Sequence, residues 1–232
     1  MPIYQLNETN LFPPVNHAEE GIIAIGGDLS TERLIAAYQS GIFPWYSKDE
    51  PIIWWAPDPR FVLFPKKIKI SKSMKQLFNK EAFTVTFDAD FKNVIKECAI
   101  QKREGQPGTW ITDEMLNAYI NLHDHGLAHS VEVWSKETET PQLIGGLYGV
   151  SLGNAFFGES MFHKRSNTSK YGFITLVQQL IKRNFQLIDC QMETPHLKSL
   201  GAELITRNEF MNRLESCLQE DTFVGKWSDW LL

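Results

Sequence analysis

The sequence contains few cysteines, no long apolar run and no overall excess of positive charge. None of the three cysteines belongs to a CxxC pair, which argues against a disulfide framework and a zinc site. No run of about 18 apolar residues is present, and the first residues lack the basic and apolar regions of a secretory signal. These absences predict a cytoplasmic protein with reduced thiols and no membrane contact.

Composition and charge are those of an ordinary globular chain. Hydrophobic residues make up 43% and charged residues 22% of the 232 residues, a length that suits one large domain or a large and a small one. The net charge of −5 argues against binding of nucleic acid over the whole surface. Between Arg60 and Lys80, however, seven basic residues occur without an acidic one, so a local basic surface is expected.

A proline-rich aromatic segment divides the chain. Residues 41–61 contain four prolines and three tryptophans, a composition that favours ordered loop and edge strand over helix. We therefore predict a small N-terminal domain over residues 1–60 and a larger domain over residues 61–232.

Capping signals and hydrophobic periodicity predict the secondary structure. Ser30, Thr112 and Thr206 are predicted helix N-caps, and Glu209 completes a capping box with Thr206. The sequences LIGGLYGVSL and NAFFGESMF flank Gly153-Asn154, a two-residue hairpin signal. The order of elements predicts an α+β fold, a mixed sheet flanked by helices. The predicted helices are 31–40, 71–79, 91–100, 113–125, 169–183, a short one ending at residue 201, and 207–218; further strands are 83–87, 129–134 and 185–191.

Two patterns resemble known metal or catalytic sites but lack an essential part. His123, His125 and His129 would need a fourth ligand to bind a metal. A helix end, where the helix dipole favours histidine, followed by a strand explains their presence without a metal. Ser160 lies in GESMF, which lacks the second glycine of a nucleophile elbow. Neither a metal site nor a serine nucleophile is predicted.

A basic loop with the sequence HKRSNTSK precedes the longest predicted helix. Such a loop at a helix start can hold the pyrophosphate of acetyl-CoA or the phosphates of RNA. The loop itself contains no glycine, and the next one along the chain is Gly172, which argues against close wrapping of a pyrophosphate. A solvated charged loop without a ligand is a third alternative.

Three polar residues are candidates for catalysis. Asp189 and Gln191 lie two positions apart on one predicted strand and so share a face, and Glu159 lies on another. A buried acid needs a partner, so Asp189 is either a structural carboxylate or the group that orients Gln191 or a substrate amine. Because no Cys–His or Ser–His–Asp set accompanies them, these residues fit an enzyme that positions its substrates.

Eight ordered blocks between about residues 20 and 210 resemble the bacterial leucyl/phenylalanyl-tRNA–protein transferases. The blocks are GIIAIGGDLSTERLIAAYQSGIFPWYS, IIWWAPDPRFVL, GTWIT, HSVEVW, IGGLYGV, FFGESMF, LIDCQ and HLKSLGAELI. The resemblance implies a small N-terminal domain and a C-terminal domain of acetyltransferase-like (GNAT-like) fold. It also implies transfer of Leu, Phe or sometimes Met from aminoacyl-tRNA to the α-amine of proteins that begin with Arg or Lys, which marks them for the N-end-rule protease. Neither a metal nor a cofactor is implied.

The resemblance also suggests roles for individual residues. Gln191, oriented by Asp189, would hold the acceptor amine, and Glu159 would bind the terminal nucleotide of the donor or the cationic side chain of the acceptor. Trp45 would stack on the terminal adenine. The candidates for the pocket of the donor side chain are Trp110, Leu147, Phe156 and Phe173. The candidates for contact with tRNA phosphates are Arg60, Lys66, Lys67, Lys69, Lys72, Lys75, Lys164, Arg165 and Lys170.

Two other classes of function stay open at this point. One is an N-acyltransferase that uses acetyl-CoA, and the other is a non-catalytic RNA-binding module. Stabilisation by acetyl-CoA or by an aminoacyl-adenosine analogue separates the first class from an aminoacyltransferase, and modification of an acceptor excludes the second.

Overall fold

The computed structural model describes residues 3–101, 109–137 and 139–231. Its strands are β1 (Tyr4–Leu6), β2 (Ile22–Gly26), β3 (Phe43–Pro44), β4 (Ile53–Trp55), β5 (Arg60–Leu63), β6 (Thr84–Phe87), β7 (Ala128–Trp134), β8 (Leu143–Leu152), β9 (Ala155–His163), β10 (Leu187–Gln191) and β11 (Glu203–Ile205). Its α-helices are α1 (Thr31–Gln39), α2 (Lys72–Asn79), α3 (Phe91–Ile100), α4 (Asp113–Asp124), α5 (Thr168–Lys182), α6 (Pro195–Ser199) and α7 (Arg207–Leu218).

The strands form two sheets. The small sheet has the order β1-β2-β4-β3, and the large sheet has the order β11-β5-β10-β9-β8-β7-β6. Within the large sheet β9 and β10 pair in parallel, joined by the crossover helix α5, and the other pairs are antiparallel. The predicted α+β class, with a mixed sheet flanked by helices, is confirmed.

Local capping signals define where the helices begin. The side chains of Ser30, Thr112 and Thr206 each accept a hydrogen bond from the backbone N–H three residues further on. The second half of the predicted capping box is not formed, because the carboxylate of Glu209 instead accepts hydrogen bonds from Arg213 on the next turn. Among the described residues, no helix is long and apolar enough to cross a membrane.

One apolar core joins the two sheets. Buried side chains of the small sheet and α1, such as Leu34 and Trp54, belong to the same cluster as Val62 and Phe157 of the large sheet. A second cluster lies on the other face of the large sheet, beneath α5. The chain passes from one sheet to the other near residue 60, where the predicted boundary lies. That residues 1–60 and 61–232 are separate domains stays a prediction.

The long hairpin of β8 and β9 forms the centre of the large sheet. Its turn is Gly153-Asn154, as predicted, and its register shifts between Tyr148 and Gly149. At Gly149 the neighbouring strand β9 approaches so closely that a Cβ atom would collide with the carbonyl oxygen of Phe157 and with the ring of Phe156. At Gly158, by contrast, a Cβ atom would make an ordinary contact of 3.5 Å with the carbonyl oxygen of Asp189.

We expect Gly149→Ala to destabilise the fold by about 1–3 kcal/mol, because the added methyl group overpacks this crossing point. Gly158→Ala is the matched control and should leave the melting temperature close to that of the wild type. Thermal unfolding of both variants, followed by circular dichroism, measures the difference. Equal melting temperatures for the two variants would contradict the close packing described here.

Candidate active site

A cavity of about 480 Å³ opens where the small sheet meets the end of the parallel pair β9–β10. The five residues predicted to bind the donor all line this cavity: Trp45, Trp110, Leu147, Phe156 and Phe173. Glu159 and Gln191 line it as well, whereas Asp189 lies behind it. The structure therefore brings the predicted apolar residues and two of the three predicted polar residues to one place.

The apolar residues reach the cavity from several elements. Leu147 and Phe156 come from β8 and β9, Phe173 from the second turn of α5, and Trp45 from the residue after β3. Leu147, Phe156 and Phe173 are at most 3% exposed, so these three form rigid walls, and half-buried Trp45 lies at the edge of the cavity. A mainly apolar cavity with few polar groups is the usual form of a site for a small ligand.

Glu159 is the acidic residue in the wall of the cavity. Its Oε1 accepts hydrogen bonds from the Tyr38 hydroxyl and from Nε2 of Gln191, both at 2.8 Å, and its Oε2 lies within hydrogen-bond distance of the Tyr119 hydroxyl, at 2.9 Å. Burial raises the pKa of Glu159 to about 7, against the lowering effect of these donors. Tyr38 lies on α1 and Tyr119 on α4, so two helices hold this carboxyl.

Asp189 is paired with Arg60, a partner that the sequence did not indicate. Its carboxylate forms a two-pronged ion pair with the guanidinium of Arg60, at 2.8 and 2.6 Å, and both side chains are buried. Its Oδ1 also accepts a hydrogen bond from the backbone N–H of Gln191 at 2.9 Å. Asp189 therefore fixes the main chain at Gln191, while Glu159 holds the amide side chain.

The prediction that Arg60 contacts tRNA is wrong. Arg60 is 1% exposed, and its guanidinium lies between the rings of Phe43 and Phe210, 4.7 and 4.6 Å from their centroids. Counting charges along the sequence treats each basic residue as solvated. The signal for burial is local: Arg60 begins the strand RFVL, in which every residue is buried.

The other basic candidates lie at or near the surface. Lys66, Lys67, Lys69, Lys72 and Lys75 are exposed, as are Lys164 and Arg165, and Lys170 is half-buried. Acidic side chains pair with some of them: Lys67 with Glu203, Lys164 with Glu97 and Arg165 with Glu137. Ion pairs of this kind contribute little to stability.

The lysines of residues 66–75 and the basic loop of residues 163–170 are neighbours in space. Phe78 of α2 stacks on Tyr171 of α5 with ring centroids 4.0 Å apart, and Phe83 meets the same tyrosine edge-on. The guanidinium of Arg165 lies 5.9 Å from the centroid of Phe83. These three rings join α2 and the lysines around it to the loop before α5. The two segments therefore form one basic surface, which consists of Lys66, Lys67, Lys69, Lys72, Lys75, Lys164, Arg165 and Lys170.

Each of the three histidines of HDHGLAH has a hydrogen-bond partner in the protein. Nδ1 of His123 lies 2.8 Å from the carbonyl oxygen of Ala128, and Nδ1 of His125 lies 2.8 Å from that of Asn121. His129 is paired with Asp88 and stacks on Trp227. Within the described residues, no group of three potential metal ligands comes together.

The sequence reasoning missed Tyr38, Tyr119 and His196. Both tyrosines occupy the apolar faces of correctly predicted helices, and a buried phenol requires a hydrogen-bond partner, which was the available signal. His196 lines the cavity from α6, and burial, followed by the charge of Lys170, lowers its pKa to about 4, so its imidazole is neutral at neutral pH.

Comparison with known families identifies the relatives of this chain. The sequence profile described as "Leucyl/phenylalanyl-tRNA protein transferase" matches residues 62–215, and that of the N-terminal domain of this transferase matches residues 27–58. The chain belongs to this family. The predicted class of enzyme, a transferase, is thereby confirmed.

Curated relatives match over almost the whole length. The leucyl/phenylalanyl-tRNA–protein transferase of Flavobacterium johnsoniae is 55% identical over 92% of this chain and 100% of its own length. That of Syntrophus aciditrophicus is 54% identical over 98% of this chain and 94% of its own length. Among solved structures, L-PGS from Bacillus licheniformis matches 70% of this chain and 52% of its own with 13% identity and a TM-score of 0.39, a similarity too distant to support an argument.

We expect Asp189→Asn to destabilise the protein by about 3–5 kcal/mol, because it leaves the buried guanidinium of Arg60 without a counter-ion. Gln191→Ala removes a half-buried amide and should leave the melting temperature nearly unchanged while it slows turnover. Thermal unfolding and single-turnover transfer rates on both variants separate the two roles. An Asp189→Asn protein with wild-type stability would show that the ion pair is not a structural anchor.

Proposed function

We propose that this protein transfers Leu or Phe, and sometimes Met, from aminoacyl-tRNA to the N-terminal amine of proteins that begin with Arg or Lys. The observation that carries the proposal is the apolar cavity with Gln191 and Glu159 at one side. Its volume and walls suit a large apolar aminoacyl group, and its polar side suits an incoming amine. Family membership supports an aminoacyl-tRNA as donor and a protein as acceptor.

The transfer exchanges an ester bond for an amide bond. The neutral α-amine attacks the ester carbonyl, the C–N bond forms and the bond from the carbonyl carbon to the ribose oxygen breaks. The nitrogen loses one proton and the ribose oxygen gains one. Because the ester is already activated, alignment of the two reactants contributes most of the acceleration.

Gln191 is placed to align the amine. Its Nε2 donates to Glu159, so its amide oxygen is the group left to accept a hydrogen bond from the acceptor nitrogen. The backbone bond from Gln191 to Asp189, which Arg60 holds in turn, keeps the end of β10 in place. Glu159 and Asp189 thus act on the substrate through Gln191.

The donor would occupy the cavity with its side chain inward. Trp110, Leu147, Phe156 and Phe173 contact the side chain, and Trp45 stacks on the terminal adenine at the edge. An apolar cavity separates side chains of similar size by only about 1–3 kcal/mol, which fits a donor range of Leu, Phe and Met.

The basic surface defined above would contact phosphates of the acceptor stem. The product, a protein with a new Leu or Phe at its N-terminus, would then be degraded through the N-end rule. We place the reaction in the cytoplasm, where charged tRNA is found and where the three free thiols would stay reduced.

Incubation of the protein with Leu- or Phe-charged tRNA and a peptide that begins with Arg tests the proposal. Mass spectrometry should find the peptide heavier by one Leu or Phe residue, and a peptide that begins with Ala is the control acceptor. Acetylation of the peptide from acetyl-CoA would instead support the N-acyltransferase alternative. Tight tRNA binding without any product would support the RNA-binding alternative.

We expect Lys72→Glu/Lys75→Glu to raise the KM for charged tRNA and to flatten the salt dependence of binding. Each lost phosphate contact lowers the slope of log K against log salt by about 0.7–0.9. Lys92→Glu/Lys96→Glu on α3, which lies on the opposite face of the large sheet, makes the same change of charge and serves as control. Equal slopes for the two double variants would contradict the assignment of the basic surface.

We expect Leu147→Ala to widen the cavity and to raise the preference for Phe over Leu as donor. The lost packing should also destabilise the fold by about 2–5 kcal/mol. Leu176→Ala, in the same core cluster but outside the cavity, should lose similar stability without a change of preference. Competition between the two charged tRNAs measures the preference. If it is the same in both variants, Leu147 is not part of the donor pocket.

A further inference from the structure

Two tyrosine hydroxyls and one carboxyl group form a closed ring of hydrogen bonds behind Gln191. The Tyr38 and Tyr119 hydroxyl oxygens lie 2.5 Å apart, that of Tyr38 lies 2.8 Å from Glu159 Oε1, and that of Tyr119 lies 2.9 Å from Glu159 Oε2. All three contacts are within hydrogen-bond distance, and each requires a hydrogen between its two oxygens.

A count of hydrogens constrains this ring. Each phenol carries one hydrogen, and an ionised carboxylate carries none, so two hydrogens would have to serve three contacts. Burial and the neighbouring Glu159 raise the pKa of both phenols well above the ordinary value, so both keep their hydrogens. With an ionised Glu159, one pair of oxygens would face each other without a hydrogen, whichever way the hydroxyls turn.

A neutral Glu159 resolves the conflict. Its proton points from Oε2 to Tyr119, the hydroxyl of Tyr119 points to Tyr38, and the hydroxyl of Tyr38 points back to Oε1. Oε1 still accepts the hydrogen bond from Nε2 of Gln191. All donors and acceptors are then satisfied, and the site avoids burial of a second negative charge near Asp189.

We propose that Tyr38 and Tyr119 are positioning residues of the transfer reaction: they share one proton with the Glu159 carboxyl and thereby lock the amide of Gln191 in one orientation. The locked orientation keeps the amide oxygen of Gln191 toward the cavity, where the acceptor amine arrives. This inference rests on the proposed function for its kinetic part, whereas the shared proton is a property of the protein alone.

A group outside the ring cannot supply the missing hydrogen, because that hydrogen must lie between two of the three oxygen-bearing groups of the ring. On β10 the nearest charged group is Asp189, which is already paired with Arg60 of β5. Tyr148 of β8 packs edge-on against the aromatic ring of Tyr119, with ring centroids 5.5 Å apart. The carboxyl of Glu159 is therefore the group that must carry the additional proton.

The shared proton can be read directly by NMR. Protein labelled with ¹³C at its glutamate carboxyl carbons is titrated, and the Glu159 signal is assigned by its loss in Glu159→Gln. Because burial raises the pKa of this carboxyl to about 7, we expect it to be neutral at pH 6 while exposed glutamates are ionised. An ionised Glu159 at pH 6 overturns the proposal. If Glu159→Gln does not fold, the signal that moves in both Tyr38→Phe and Tyr119→Phe provides the assignment.

Kinetics test the positioning role. Tyr38→Phe and Tyr119→Phe should each slow single-turnover transfer by roughly 10–100-fold with little change in the KM for charged tRNA, because a misplaced Gln191 costs alignment and not donor binding. The double variant should be no slower than the slower single variant, because the ring acts as one unit. Tyr4→Phe, which removes a hydroxyl that lies 2.7 Å from Nδ1 of His17 and outside the cavity, is the control and should keep the wild-type rate.

Rates at the wild-type level in both tyrosine variants overturn the proposal. So does a loss of rate that only follows the fraction of unfolded protein in the same samples. A wild-type protein that transfers nothing from charged tRNA would refute the proposed function and the kinetic part of this inference, and the NMR titration would still report whether Glu159 carries the shared proton.

Discussion

The buried ion pair between Arg60 and Asp189 holds together four elements that are distant in the sequence. Arg60 begins β5, Asp189 lies on β10, and the guanidinium is enclosed by Phe43 of the small sheet and Phe210 of α7. A buried guanidinium without its carboxylate would cost several kcal/mol, so these elements cannot separate without a large loss of stability. Because Asp189 also accepts the backbone N–H of Gln191, the same pair determines where β10 ends in the cavity.

Local signals were sufficient for most of the secondary structure. Caps such as Ser30 and Thr112, and the turn Gly153-Asn154, act within a few residues, so the sequence shows them without knowledge of the fold. The apolar wall of the cavity could also be proposed, because Leu147 and Phe156 lie on predicted neighbouring strands and the family resemblance covers both.

Contacts between residues far apart in the sequence could not be predicted from such local signals. Arg60 and Asp189 are 129 positions apart, and Tyr38 and Glu159 are 121 apart. Their pairing follows from how the small sheet packs on the large one, which no local pattern reports. For this reason the sequence alone places Arg60 on the surface, and no local pattern indicates that Tyr38 on α1 donates to Glu159.

The common core of the two sheets has a consequence for the order in which the protein can form. The small sheet and α1 are synthesised first, but the side chains that cover them, such as Phe157, Phe210 and Leu214, leave the ribosome much later. The apolar face of the N-terminal part therefore stays uncovered until α7 has emerged, the situation in which nascent chains depend on chaperones. Since contacts of such long sequence separation dominate its core, the protein should fold slowly, and a truncated chain that ends before α7 should aggregate instead of folding in part.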